Sequence, residues 1–217
     1  MESNVSTLNE TNQLMQAQKI MTLEKQIKNG ISWFYWIAGL SILNTLIFTF
    51  GGNINFVVGL AITQFLDGFA SGLAAEFTGN ASLIIRIVGF AMNAMVVGIF
   101  IVFGILGNKR IKWAIIVGMV IYLVDGLIFL AFGEWFAVFF HGLGLSGLWA
   151  GLRAINDLGK LETSMAPEQL ATLRTSLASV QQASKPVSLS KTSKTLAMAI
   201  IILVALFLLL VLGFSSR

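Results

Sequence analysis

WAIIVGMVIYLVDGLIFLAFGEWFAVFFHGLGLSGLW, residues 113–149, holds two apolar runs parted only by the pair Gly133-Glu134. Each run is about 20 residues long, and an α-helix rising about 1.5 Å per residue then matches a hydrocarbon core of about 30 Å. The stretch therefore reads as two adjacent membrane spans, Trp113–Phe132 and Trp135–Leu152, antiparallel and joined by a tight turn. Asp125 lies eight residues before Gly133 and His141 eight after it. Both should sit about 12 Å below the turn, at one depth on neighbouring helices.

Three more segments have the same character: Ile31–Phe50, opened by Trp33, Tyr35 and Trp36, then Leu83–Leu106 and Leu196–Phe214. Only 11% of the 217 residues are charged and the mean hydropathy is +0.84, against a soluble norm of roughly 25% charged. Composition thus predicts an all-α, polytopic transmembrane bundle, with the lipid bilayer as its first partner. The chain has no Cys, which removes disulfides, thiolate chemistry and Cys-based zinc sites. About thirty polar residues precede the first apolar run, which argues against a cleavable signal.

The basic residues set the topology. Lys19, Lys25 and Lys28 precede the first span; Lys109, Arg110 and Lys112 fill one short link; six more lie between Arg153 and Lys194. Only Arg86 and Arg217 fall elsewhere, so five spans with a cytoplasmic N-terminus collect twelve of the fourteen on the inner face. Lys and Arg resist translocation and gather on cytoplasmic flanks. Positive-inside loops also account for the net charge of +4, and nucleic acid is not expected as a partner.

Residues 56–77 decide between five spans and six. Were they a span, the inner face would keep five of the fourteen basic residues. Thr63, Asp67 and Ser71 recur every four residues opposite Val58, Ile62, Phe65, Leu66, Phe69 and Leu73. That is an amphipathic pattern, suited to an outer interfacial or re-entrant helix. Residues 1–30 read as a separate cytoplasmic polar or amphipathic helix, begun by the capping pair Thr7 and Glu10 and ended by Gly30. The membrane core is then 31–152, with spans 31–50, 83–106, 113–132 and 135–152. A cytoplasmic helix from Pro167 and a basic linker occupy 153–195, and residues 196–217 form a single-span anchor.

Ionisable residues inside a bilayer are costly, so each is a functional hypothesis. Arg86, Asp125 and His141 stand out, with Tyr122 and Gly118 on the face of Asp125, Asn93 deeper on the face of Arg86, and Asp67 covering the group from outside. One reading is a polar site for a proton, an ion or an anion. The other is a neutralised set of charges that locks the bundle. One His and no Cys leave too few donors for a metal, and no cofactor is expected. Gly142, Gly144 and Gly147 match a dinucleotide fingerprint, but no strand precedes them. Gly144-Leu145-Ser146-Gly147 resembles the GxSG motif of rhomboid intramembrane proteases; His141, the only His, is on the same helix and about 140° away, where it cannot serve Ser146. Packing is the plainer account. Gly144, Gly147 and Gly151 make a smooth stripe for another helix, and Ala91, Ala94 and Gly98 make a second.

Gly59-Leu60, Thr63-Gln64, Asp67, Gly118-Met119 through Tyr122, Asp125 and Phe140-His141 resemble the pattern of a family of small bacterial polytopic membrane proteins, over roughly residues 31–155. The resemblance implies a bacterial cytoplasmic membrane and brings no activity with it. The function expected is non-enzymatic: a structural or accessory protein packing against a partner complex or against itself. The alternative is a small transporter or channel component using Asp67, Arg86, Asp125 and His141. A membrane-embedded enzyme comes third. The spans differ in length and polarity, which disfavours an inverted-repeat transporter.

Overall fold

The computed structural model of the protein describes residues 2–49 and 59–183. All regular structure in them is helical: α1 (Glu2–Thr49), α2 (Ala61–Ala75), α3 (Asn80–Asn108), α4 (Lys112–Ala131), α5 (Trp135–Ser164) and α6 (Pro167–Ala183). The chain divides into two compact units at Ala166. The first holds α1–α5. In the second, α6 opens on Pro167, whose missing N–H costs nothing in a first turn, with Glu168 beside it at the positive end of the helix dipole.

Among the described residues four helices are long and apolar enough to cross a membrane: α1 over Thr11–Thr49, α3, α4 and α5. Their outward faces carry large apolar side chains, among them Met95, Val102, Val124, Leu127 and Phe136. Exposed apolar surface of this extent is foreign to soluble monomers and natural against lipid. At 15 residues, α2 is about 22 Å long and falls short of a bilayer's hydrocarbon thickness. Residues 196–214, expected as the last span, lie outside the described residues, as do 56–58.

The helix expected to end at Gly30 does not end there. α1 begins at Glu2 rather than at Thr7 and runs unbroken to Thr49. Gly30 is instead a point of backbone contact: a Cβ on it would lie 2.5 Å from Gly151 Cα and 2.8 Å from the Gly147 carbonyl oxygen. Trp33 presses its indole onto Gly147 in the same way. Two glycines of the 144–151 stripe thus receive α1, and Gly144 receives the Tyr122 ring of α4. The α1 positions that are buried, Ile20, Leu23, Ile27, Ile31, Phe34 and Ile37, recur every three or four residues, the spacing of one helix face. α5 likewise runs past Leu152 to Ser164, with Ile155 and Leu158 buried. Within the first thirty residues Leu14, Met15 and Met21 are exposed, whereas Ile20, Leu23 and Ile27 are buried.

Two turns hold the bundle in register. At the α4–α5 turn Gly133 has φ +75°, a left-handed conformation that glycine adopts without penalty. Glu134 N–H then donates to the Phe129 carbonyl at 3.0 Å, closing the helix as a Schellman-type cap does. At the opposite end Arg110, between α3 and α4, reaches Glu24 of α1 at 3.3 Å and Glu162 of α5 at 3.9 Å. The bundle interior between them is aromatic. Phe34, Phe100 and Phe103 meet with ring centroids 5.9–6.2 Å apart, and Tyr122 stands edge-on to Phe100.

Because backbone atoms face Gly30, Gly30→Ala should destabilise the protein by about 1–3 kcal/mol, the usual cost of overpacking. Gly39 meets nothing within 4 Å, and Gly39→Ala should be neutral or stabilising by up to about 1 kcal/mol through helix propensity. Thermal unfolding of the detergent-solubilised variants measures both. Equal effects at the two positions would mean that the α1–α5 contact is not close.

Candidate functional site

The first turn of any α-helix leaves backbone N–H groups without intrahelical partners. α2 begins inside the bundle, where water is not at hand to satisfy them. Leu60 N–H donates to Ser41 Oγ of α1 at 2.8 Å. Ala61 N–H donates to Asp125 Oδ2 at 2.8 Å and Ile62 N–H to Asp125 Oδ1 at 3.0 Å. Asp125 thus caps a helix more than 60 residues earlier in the chain, from a position on α4. In its ionised form the carboxylate also faces the positive end of the α2 dipole.

His141 completes the site. Its Nε2 lies 3.1 Å from Asp125 Oδ2, and both side chains are almost fully buried. Its Nδ1 lies 2.9 Å from the Ala137 carbonyl oxygen. A carbonyl only accepts, so Nδ1 carries a hydrogen, and the Nε2–Oδ2 contact then needs one proton between the two atoms. Either assignment of that proton leaves the pair neutral as a whole. Tyr122 stacks on the imidazole at 4.3 Å and Phe129 lies 5.2 Å away on a tilt. Gly126 makes the room: a Cβ there would meet His141 at 3.0 Å.

Asp67 is not in this group. It belongs to a second polar layer further along α2, where Asn93 Nδ2 donates to Asp67 Oδ1 at 2.5 Å and to Thr45 Oγ1 of α1 at 3.3 Å. The layer shows α2 and α3 to be antiparallel, since Ala70 faces Gly89 and Ser82 Oγ donates to the Ala74 carbonyl. Asn93 is buried, and its Oδ1 has no hydrogen-bond partner.

Arg86 does not neutralise Asp125 or His141. It is exposed, and the reason is depth rather than helix face. Arg86 lies about 33 Å along α3 from Asn108, whereas Asp125 lies about 20 Å along α4 from Lys112, the residue across the same short turn. Counting depth from the start of the apolar run at Leu83 conceals the difference, because α3 has 29 residues and α4 only 20. Ala91 and Ala94 are exposed, and a Cβ on Gly98 would meet nothing within 4 Å. That stripe lies on the outer face of α3, away from the described helices. Ser146 is also on an outer face, its hydroxyl donating to the Leu143 carbonyl at 2.7 Å. Among the described residues no three His, Asp or Glu side chains converge.

Ser41 and Thr45 are the members that sequence reading passed over. The signal was present: Ser41, Asn44 and Thr45 stand at helical spacing in an otherwise apolar run, and all three are buried. Polar groups so placed in a span must find partners in the protein.

Removing one partner of a buried, hydrogen-bonded charge pair costs about 3–5 kcal/mol. Asp125→Asn and His141→Gln should each lose stability on that scale, and the double variant should lose less than the two singles together. Asp125→Asn should also speed hydrogen exchange at the Ala61 and Ile62 amides, which an effect confined to His141 would not do. Strictly additive losses, or unchanged exchange at those amides, would refute the capping role. Comparisons with known protein families, curated proteins and solved structures find no match, so the chemistry of the site rests on its own geometry.

Proposed function

We propose that the protein is a non-enzymatic, multi-pass component of a bacterial cytoplasmic membrane that packs against a partner complex or a second copy of itself. In this reading α1 enters from the cytoplasm, and α2 begins within the bundle and returns to the outer side as a re-entrant half-helix. α1, α3, α4 and α5 supply four crossings, and the fifth expected one, residues 196–214, lies outside the described residues. The observation that carries the proposal is the use of Asp125: both its oxygens are taken by α2 amides, and one of them also by His141. A carboxylate with three of its roughly four acceptor positions engaged within the fold is suited to the work of a structural pin. The stripe of exposed Ala91 and Ala94 and half-buried Gly98 supports the packing half of the reading, since small residues let another helix backbone approach.

The second reading, a small transporter or channel component, has one observation in its favour. Asn93 Oδ1 is buried without a partner beside the half-buried Asp67 carboxylate, a pairing that an ion or a proton-donating solute would satisfy. This version of the polar site omits Arg86.

Single cysteines at Asn80, Glu134 and Asn108, tested with an impermeant thiol reagent in intact cells, check the topology. Positions 80 and 134 should label from outside and 108 should not; labelling at 108 would reverse the orientation. For function, purification in mild detergent should yield a stoichiometric protein partner or a discrete oligomer. A monodisperse monomer whose liposomes show cation or proton flux, abolished by Asp67→Asn, would replace the structural reading with the second one.

A further inference from the structure

Two recesses between α4 and α5 follow one another along the outer surface of the bundle as the two halves of a furrow, and they differ in chemistry. The upper half is a groove of about 460 Å³ lined by Ile116, Val120 and Leu123 of α4 and by Leu145, Trp149 and Leu152 of α5. The lower half is a recess of about 720 Å³ lined by Lys112, Asn156, Gly159, Lys160, Thr163 and Ser164. The α5 positions follow one another at intervals of three or four residues, as do Lys112, Ile116, Val120 and Leu123 of α4. Both halves therefore lie along a single stripe of each helix.

The dimensions point to one occupant. From Lys112 to Leu123 is about 16 Å of helix, the depth of one leaflet of a core about 30 Å thick. Lys112 is the first residue of α4, so its ammonium sits at the membrane boundary, beside the exposed Trp113. Interfacial Trp marks the headgroup level. The donors in the recess are two lysines and the Asn156 amide. Thr163 and Ser164 already donate their hydroxyl hydrogens to the Gly159 and Leu161 carbonyls. Ile111 brings no side-chain cap to the first turn of α4, so its N–H groups add to the positive field. Lys160 pairs with Asp157 at 3.7 Å in an exposed contact, too weak to hold the lysine from a stronger anion, and Glu162 on the same segment is engaged by Arg110.

We infer that this furrow binds one anionic phospholipid of the leaflet on the Lys109–Lys112 side, with its phosphate between Lys112 and Lys160 and an acyl chain along the apolar groove. The charge of the foot and the one-leaflet length of the groove together select a lipid over a soluble anion or an apolar helix. The inference stands apart from the choice between a structural and a transporting protein.

The test uses the full chain in detergent, delipidated and then exposed to phosphatidylglycerol, phosphatidylcholine or inorganic phosphate, with bound species read by native mass spectrometry. Phosphatidylglycerol should be retained in preference to phosphatidylcholine. Lys112→Gln with Lys160→Gln should weaken its retention on the order of thirtyfold, as about 1 kcal/mol for each of the two basic residues at a membrane surface implies. The charge-preserving Lys112→Arg with Lys160→Arg should keep it. Val120→Trp, which fills the groove while leaving both lysines, should also lower it. Unfolding temperatures without lipid identify any variant that fails to fold, and Val120→Trp then carries the test alone. Equal retention of the two lipids, full retention by the glutamine or tryptophan variant, or displacement of phosphatidylglycerol by millimolar phosphate would overturn the proposal.

Discussion

A helix that starts inside a bilayer-sized bundle exposes donors that nothing local can satisfy. Everything around α2 is arranged about that constraint. In water an uncapped first turn costs little; in an apolar interior each unsatisfied amide costs several kcal/mol. Asp125 meets the need with two acceptor atoms at once, and in its ionised form it complements the helix dipole. The carboxylate would itself be expensive to bury alone, and His141 shares its burial. His141 in turn is held by the Ala137 carbonyl on its far side and by the Tyr122 ring on its face. Each link is the reason the next residue type is required.

The position of the cap depends on close helix contact elsewhere. Asp125 and His141 can meet only because Gly126 admits the imidazole, and Tyr122 can stack on it only because Gly144 leaves space for the phenol ring. The α1–α5 contact through Gly30, Gly147 and Gly151 brings Ser41 to the depth at which Leu60 needs an acceptor. In a bilayer the lipid tails compete for apolar surface, so helices associate through close packing and hydrogen bonds rather than through hydrophobic burial. The protein uses both devices within one layer of its structure.

The two polar layers have different characters. Around Asp125 the acid and base bond to partners within the fold, and the aromatic rings of Tyr122 and Phe129 pack on the imidazole. Around Asp67 the carboxylate is half-buried and an amide oxygen beside it is unpaired. The first layer behaves as architecture. The second leaves a buried acceptor unsatisfied, and the distinction comes from satisfied against unsatisfied atoms rather than from residue type.

Much of this was legible in the chain. Span lengths, the tight turn at Gly133 and the common depth of Asp125 and His141 all follow from hydropathy and a constant rise per residue. The amphipathic pattern of residues 56–77 follows from the same two quantities. These are local, one-dimensional properties, and a single sequence carries them in full. The continuity of α1 through Gly30 was not legible, because a glycine that ends a helix and a glycine that touches another helix look alike until the second helix is in place. Nor was the separation of Arg86 from Asp125, which depends on α3 being longer than α4. Least legible was the use of Asp125 as a cap. The partner of a buried carboxylate is whichever donor the packing brings within 3 Å, and only the insertion of α2 between α1, α3 and α4 brought the Ala61 and Ile62 amides there.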